Sequence, residues 1–162
     1  DGGRRGALRI TVRDGPLSLR EMRVQEIRDV PRLREWTTLI EAGIVKGVSL
    51  GKGWTAQDGS PRGTGEAATS DAYGDVEAIL RIDGPADASI RLSMRGAQLA
   101  ACRLPTDGLH AVRVIAKEGN FEVTMDDAPI AHGALKGGEG PIEIDVGTKV
   151  VTIVAFRVRP PE

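Results

Sequence analysis

The sequence predicts an all-β sandwich or jelly roll with an extra β-hairpin at its N-terminus and one short helix. Apolar and polar residues alternate along a succession of short segments, 21 glycines and 9 prolines punctuate them, and the closing segment is echoed near the start of the chain. Alternation of period two marks a strand with one buried face. Short strands separated by turn residues at such spacing are the pattern of sandwiches and jelly rolls.

The clearest strand follows Tyr73-Gly74-Asp75, where Val76, Ala78, Leu80 and Ile82 alternate with Glu77, Ile79 and Arg81 up to the turn Asp83-Gly84-Pro85. Ile90, Leu92 and Met94 alternate with Ser89, Arg91, Ser93 and Arg95, and this strand is expected to pair with the one before it. Gln98 to Leu104 form a short apolar strand, Pro105-Thr106-Asp107-Gly108 turn the chain, and His110 to Ala116 carry Val112, Val114 and Ala116 on one face. Glu118-Gly119-Asn120 is a hairpin turn before Phe121, Val123 and Met125, and Asp126-Asp127 turn again. A Gly-rich loop from Gly133 to Gly140 leads to the closing strands, Ile142 to Val146 and Val150 to Val158.

Pro31 to Ala42 is the one helical candidate, with Leu33, Trp36, Leu39 and Ile40 on one face, a cap at Asp29 and a stop at Gly43. From Gly51 to Ser70 the composition predicts surface loop and irregular strand.

Aligning Gly6 with Gly140, an offset of 134 residues, matches the two ends of the chain without insertion through Gln25 and Arg159. Gly6, Val12, Arg23 and Val24 meet identical residues, and Leu8, Ile10, Leu17, Leu19 and Met22 meet Ile142, Ile144, Val151, Ile153 and Phe156. The reading is a hairpin over 1–27, the tail of a preceding repeat or a strand pair for assembly with a neighbouring copy, followed by a sandwich over 28–162. A lone hairpin is marginal in water, so such a pair needs a partner.

At 162 residues the chain holds one complete core plus an appendage, given roughly 100 to 200 residues per domain. A formal net charge of −1 offers no broad basic field for nucleic acid or an anionic membrane. No apolar run reaches the roughly 18 residues of a membrane span. The single cysteine, Cys102, cannot form an intramolecular disulfide and reads as a small buried hydrophobe. A chain opening on Asp1 is expected of a piece processed or excised from a longer polypeptide.

Candidate chemistry is sparse. Asp75 and Glu77 have the i, i+2 spacing that sets two carboxylates on one strand face, the arrangement a glycoside hydrolase would use, or a solvated face neutralised by Arg81, Arg91, Arg95 and Arg113. Strand parity gathers Glu77, Arg81, Arg91 and Arg95 opposite the apolar core. Phe121, Phe156 and Trp36 read as core, leaving Trp54 and Tyr73 as the aromatics that can stack on a sugar, with Arg91 and Arg95 as polar ligand contacts. His110 and His132 read as surface or strand-end residues and lack metal-ligand spacing. Asp126-Asp127 can offer oxygens to calcium, but a hairpin turn accounts for them, and no cofactor is expected. No Gly-x-Ser-x-Gly element or phosphate loop is present.

Several short segments resemble the bacterial 3-keto-disaccharide hydrolase domain, a family similar to concanavalin-like lectins and glucanases. They are Gly53-Trp54 with Asp58-Gly59, Tyr73-Gly74-Asp75-Val76-Glu77, Ala88-Ser89-Ile90-Arg91-Leu92, Val112 to Lys117, Gly140-Pro141-Ile142 and Phe156-Arg157-Val158. The resemblance implies a concanavalin-like jelly roll, and a saccharide as substrate or ligand. The family's longer segment with a Glu-x-Gln pattern is replaced here by a short strand and turn between Gly96 and His110. The expected function is therefore a non-catalytic binding or assembly module of a larger secreted or surface protein, with a glycan as ligand. The alternatives are a saccharide hydrolase of the 3-keto-disaccharide type and an intracellular protein-interaction domain.

Overall fold

The alternating segments become strands in a computed structural model that describes residues 35–42, 44–57 and 59–162. In chain order these are β1 Thr37–Glu41, β2 Ile44–Val45, β3 Val48–Leu50, β4 Trp54–Gln57, β5 Ser60–Gly63, β6 Glu66–Thr69 and β7 Val76–Gly84. They continue as β8 Ser89–Met94, β9 Ala97–Arg103, β10 Gly108–Lys117, β11 Asn120–Met125, β12 Ala128–Ala134, β13 Ile142–Asp145 and β14 Val151–Arg159. One antiparallel sheet of nine strands runs β12-β11-β10-β7-β14-β1-β2, with β5 joining β14 and β4 joining β5; a second of five runs β3-β6-β13-β8-β9. The expected hairpin over 1–27 and its echo of the closing strands lie outside the described residues.

The core is the set of inward positions that period two selects. Val76, Ala78, Leu80 and Ile82 of β7, Val112, Val114 and Ala116 of β10, and Ile153, Phe156 and Val158 of β14 are buried from the nine-stranded side. Ile90, Leu92 and Met94 of β8 and Ile142 and Ile144 of β13 meet them from the other side. Burying each such aliphatic side chain contributes about 1.5–3 kcal/mol.

The expected helix over Pro31 to Ala42 is corrected: its described part contains β1, which pairs with β14. A register shift between Thr38 and Ile40 turns Leu39 and Ile40 inward together, and this bulge imitates the apolar doublet of a helical face. Thr37 and Thr38 are β-branched and suit the strand. The span read as surface loop and irregular strand from Gly51 to Ser70 holds the short strands β4, β5 and β6. Here Gly63 lies so close to Gly53 that an added Cβ would stand 2.2 Å from the Gly53 carbonyl oxygen.

Two expected neighbourhoods also change. β8 does not pair with β7; the chain crosses at Pro85 from the nine-stranded to the five-stranded sheet. The closing strands do not pair with each other either, since β13 sits between β6 and β8, and β14 between β7 and β1. The turns at Glu118-Gly119 and Asp126-Asp127 join β10 to β11 and β11 to β12 as expected. Glu118, Asp126 and Asp127 adopt positive φ there.

Candidate functional site

The outer face of the five-stranded sheet carries an open cleft of about 210 Å³. Its lining follows from register. Glu66 of β6, Asp145 of β13 and Arg91 of β8 are cross-strand neighbours in one row, and Ala68, Glu143 and Ser93 form the next. These residues are outward because Ala67, Ile144 and Leu92 between them point into the core. Ala68 and Ser93 are short, so the second row leaves a hollow beside Glu143.

The charges of this cleft are only partly matched. Arg91 Nη1 donates to Asp145 Oδ2 at 3.4 Å, and Asp145 Oδ1 accepts from the Gly147 backbone N–H at 2.9 Å. Glu66 and Glu143 are exposed and have no ion pair among the described residues. Directly opposed residues such as Glu66 and Asp145 place Cβ atoms about 4.5–5.5 Å apart. Glu143 and Asp145, two residues apart on one strand, are separated by about 6.6 Å along the backbone. The cleft thus presents an array of carboxylate acceptors, one guanidinium donor and one hydroxyl, with no aromatic ring among its lining residues.

The residues singled out from sequence scatter. Arg91 lies in the cleft. Arg95 forms the β8–β9 turn at φ 55°, with its Nε buried and unpaired. Trp54, taken as a stacking candidate, is 7% exposed and packed in the core, so its ring faces protein rather than ligand. Tyr73 is half-buried and tied through its backbone to Gly140. Burial, and secondarily the Asp71 charge, push its phenol up. Cys102 is half-buried, and burial raises its thiol.

Asp75 and Glu77 are not a free carboxylate pair. Asp75 is exposed and accepts from the Glu118 backbone N–H. Glu77 is 3% exposed on the outer face of the nine-stranded sheet, with Arg113 Nε on Oε1 and Arg159 Nε on Oε2, each at 2.7 Å. Burial pushes its carboxyl up, but the hydrogen bonds and charges of Arg159 and Arg113 outweigh this and hold it below the usual carboxylate range. Such a carboxylate has no proton to donate near neutrality. The expected gathering of Glu77, Arg81, Arg91 and Arg95 is also corrected: Glu77 and Arg81 belong to β7, Arg91 and Arg95 to β8 and its turn, on different sheets.

His110 is buried at 6% exposure rather than lying at the surface, whereas His132 is exposed. The His110 Nδ1 faces Asp126 Oδ2 at 2.7 Å and its Nε2 faces the Thr106 carbonyl at 3.0 Å and the Thr106 hydroxyl at 3.4 Å, a set of oxygens that favours the protonated ring. The Asp126 hydrogen bond raises its pKa against an opposing effect of burial. Asp126 is lowered in turn by His110 and by the Ala111 backbone N–H.

The chain has the fold of concanavalin-like sandwiches. It matches a proposed glycosyl hydrolase from Parabacteroides distasonis with a TM-score of 0.60 at 8% identity, covering 78% of this chain and 100% of that one. It matches a β-1,3-1,4-glucanase (lichenase) derived from a mouse hindgut metagenome with a TM-score of 0.50 at 10% identity, covering 83% and 96%. It matches a functionally unknown protein from Saccharomyces cerevisiae with a TM-score of 0.52 at 9% identity, covering 80% and 97%. No family model matches the chain. No curated protein matches it either. At such identities the fold is shared, and function is carried by the site.

The cleft residues Glu66, Ser93, Glu143 and Asp145 were not singled out from sequence. The outward parity of Glu143 and Asp145 was legible in Ile142 to Val146. That β13 lies between β6 and β8 was not.

Proposed function

We propose that this sandwich is a saccharide-binding module of a larger secreted or surface protein, and that it binds without catalysis in the cleft of Glu66, Arg91, Ser93, Glu143 and Asp145. The observation that carries the reading is the pair of exposed glutamates, without an ion pair among the described residues, beside a guanidinium and a hydroxyl on an open sheet face. Carboxylates accept hydrogen bonds from sugar hydroxyls, and Arg91 donates to ring or glycosidic oxygens. A cleft this shallow leaves the ligand wet, which favours binding over chemistry that must exclude water. The sandwich shared with a glycanase supports a saccharide as the ligand class.

Two carboxylates, Glu143 and Asp145, on one face of β13 in the cleft support a second reading, a hydrolase of the 3-keto-disaccharide type. Paired carboxylates about 5 to 9.5 Å apart suit glycoside hydrolysis. Titrating the protein with neutral glycans and 3-keto-disaccharides, with products assayed in parallel, separates the two. Binding weakened about ten-fold by Glu143→Gln, without turnover, supports the module. Turnover abolished by Glu143→Gln establishes the hydrolase, and ligand binding undisturbed by Glu143→Gln and Arg91→Ala removes the cleft from both.

A further inference from the structure

The outer face of the nine-stranded sheet contains a second hollow, of about 150 Å³, lined by Trp36, Glu41, Ile79, Arg81, Ala155 and Arg157. It exists because of a local irregularity in β14. A register shift between Ile153 and Ala155 changes the strand's parity, so that Ala155 and Arg157 turn outward while Phe156 stays in the core. Ala155 then stands between Glu41 of β1 and Arg81 of β7 in one cross-strand row, and Arg157 lies beside Ile79 in the next row sampled by outward side chains. The methyl group of Ala155 fills little of the space between its charged neighbours.

The hydrogen-bonding capacity of this hollow is unbalanced. Arg157 Nη2 donates to Glu41 Oε1, and the Arg157 Nε–H is buried without an acceptor among the described residues. Arg81 is exposed and has no hydrogen-bond or ion-pair partner among the described residues. The exposed Arg81 guanidinium therefore keeps its donors free at the edge of the hollow. Two guanidinia against one carboxylate leave one net positive charge around the hollow. Trp36, Ile79 and Ala155 supply apolar surface beside the two guanidinia.

We propose that this hollow binds a carboxylate group, held by the guanidinium groups of Arg81 and Arg157, with the carbon skeleton of the ligand against Trp36 and Ile79. A guanidinium is the side chain best shaped for a carboxylate. At about 30 Å³ for each water, the volume accommodates a carboxylate with a few attached atoms. The carboxylate is carried either by a small organic acid or by a uronic-acid residue of a glycan. The site shares no residue with the five-stranded cleft, so the two proposals stand or fall separately.

The test uses the full chain, labelled for NMR, titrated with sodium acetate, D-glucuronate and D-glucose. Both acids are expected to move the resonances of Arg81, Ala155 and the Arg157 Nε–H, and glucose is expected to leave them unmoved. Arg81→Gln is expected to weaken acid binding about ten-fold or more. Ala155→Leu is expected to block it by filling the hollow. Glucuronate binding well above acetate assigns the site to acidic saccharides, and equal binding assigns it to small acids. Equal shifts from glucose, no response to either acid at tens of millimolar, or binding unchanged in Arg81→Gln would overturn the proposal. If Ala155→Leu fails to fold, Arg81→Gln alone decides, because that exposed side chain has no structural partner to lose.

Discussion

On the outer face of the nine-stranded sheet the carboxylate of Glu77 meets two guanidinia, whereas on the outer face of the five-stranded sheet Glu66 and Glu143 stand exposed with no cation paired to them among the described residues. Both arrangements arise from the same alternation of apolar and charged residues along strands. The difference lies in what the neighbouring strands bring. β10 and β14 place Arg113 and Arg159 beside β7, and the Trp36 ring lies 4.6 Å from the Arg159 guanidinium. β13 instead places Glu143 and Asp145 next to Glu66, with Arg91 as the one cation of the cleft. The charge at Glu77 is matched within the fold, and the charge at Glu143 has no such match among the described residues.

The same chemical change therefore has unequal expected effects on the two faces. Glu77→Gln leaves Arg113 and Arg159 without their counter-ion and is expected to destabilise the fold by about 3 kcal/mol, the low end for breaking a buried pair because Arg113 is 45% exposed. Denaturant unfolding measures it. Because the folded pKa of Glu77 is lowered, its stabilisation is present above the ordinary value of 4.5 and is lost as pH falls through the folded value. The variant is therefore expected to lose less stability than the parent as pH falls from 4.5 through the folded value.

His110 sharpens the comparison because its pH dependence has the opposite sign. Its pKa is raised, so its contribution is complete below the ordinary value of 6.5 and falls away as pH rises through the higher folded value. Asp126 and Asp83 supply the charges that favour the imidazolium. His110→Gln is expected to lower stability at pH 6 by about 1–2 kcal/mol and to flatten the decline toward alkaline pH. A parent whose unfolding midpoint does not change from neutral into alkaline pH would contradict this assignment.

Smaller effects follow at the margins. Trp36→Leu removes the ring beside Arg159 and is expected to cost about 0.5–1 kcal/mol in the same unfolding experiment. Glu143→Gln is expected to stay within about 0.5 kcal/mol of the parent. A large loss of stability at Glu143 would show that this carboxylate also serves the fold.

Strand identity was legible where alternation was uninterrupted, as from Val76 to Ile82 and from His110 to Ala116. It failed where a bulge altered the parity. Leu39 and Ile40 turn inward together and imitate a helix, and the shift at Ile153/Ala155 reorients the rest of β14. The candidate sites were less legible for a different reason. Glu66, Arg91 and Glu143 are brought together by the strand order β6-β13-β8, and Glu77 and Arg159 by the pairing of β7 with β14. Alternation reports which face a side chain takes, but not which strand lies beside it. Trp54 shows the complementary limit: its Gly-rich neighbourhood suggested an exposed ring, while the close approach of Gly53 and Gly63 lets β4 pair with β5 and the ring join the core.

The most direct test of the account is an NMR titration with neutral oligosaccharides, because it reports which face is contacted without assuming the ligand. The account predicts amide shifts concentrated at Glu66, Arg91, Ser93, Glu143 and Asp145, weakened by Glu143→Gln and leaving Glu77 unmoved. Shifts centred on Glu77, Arg113 and Arg159, or no response to any oligosaccharide, would contradict it.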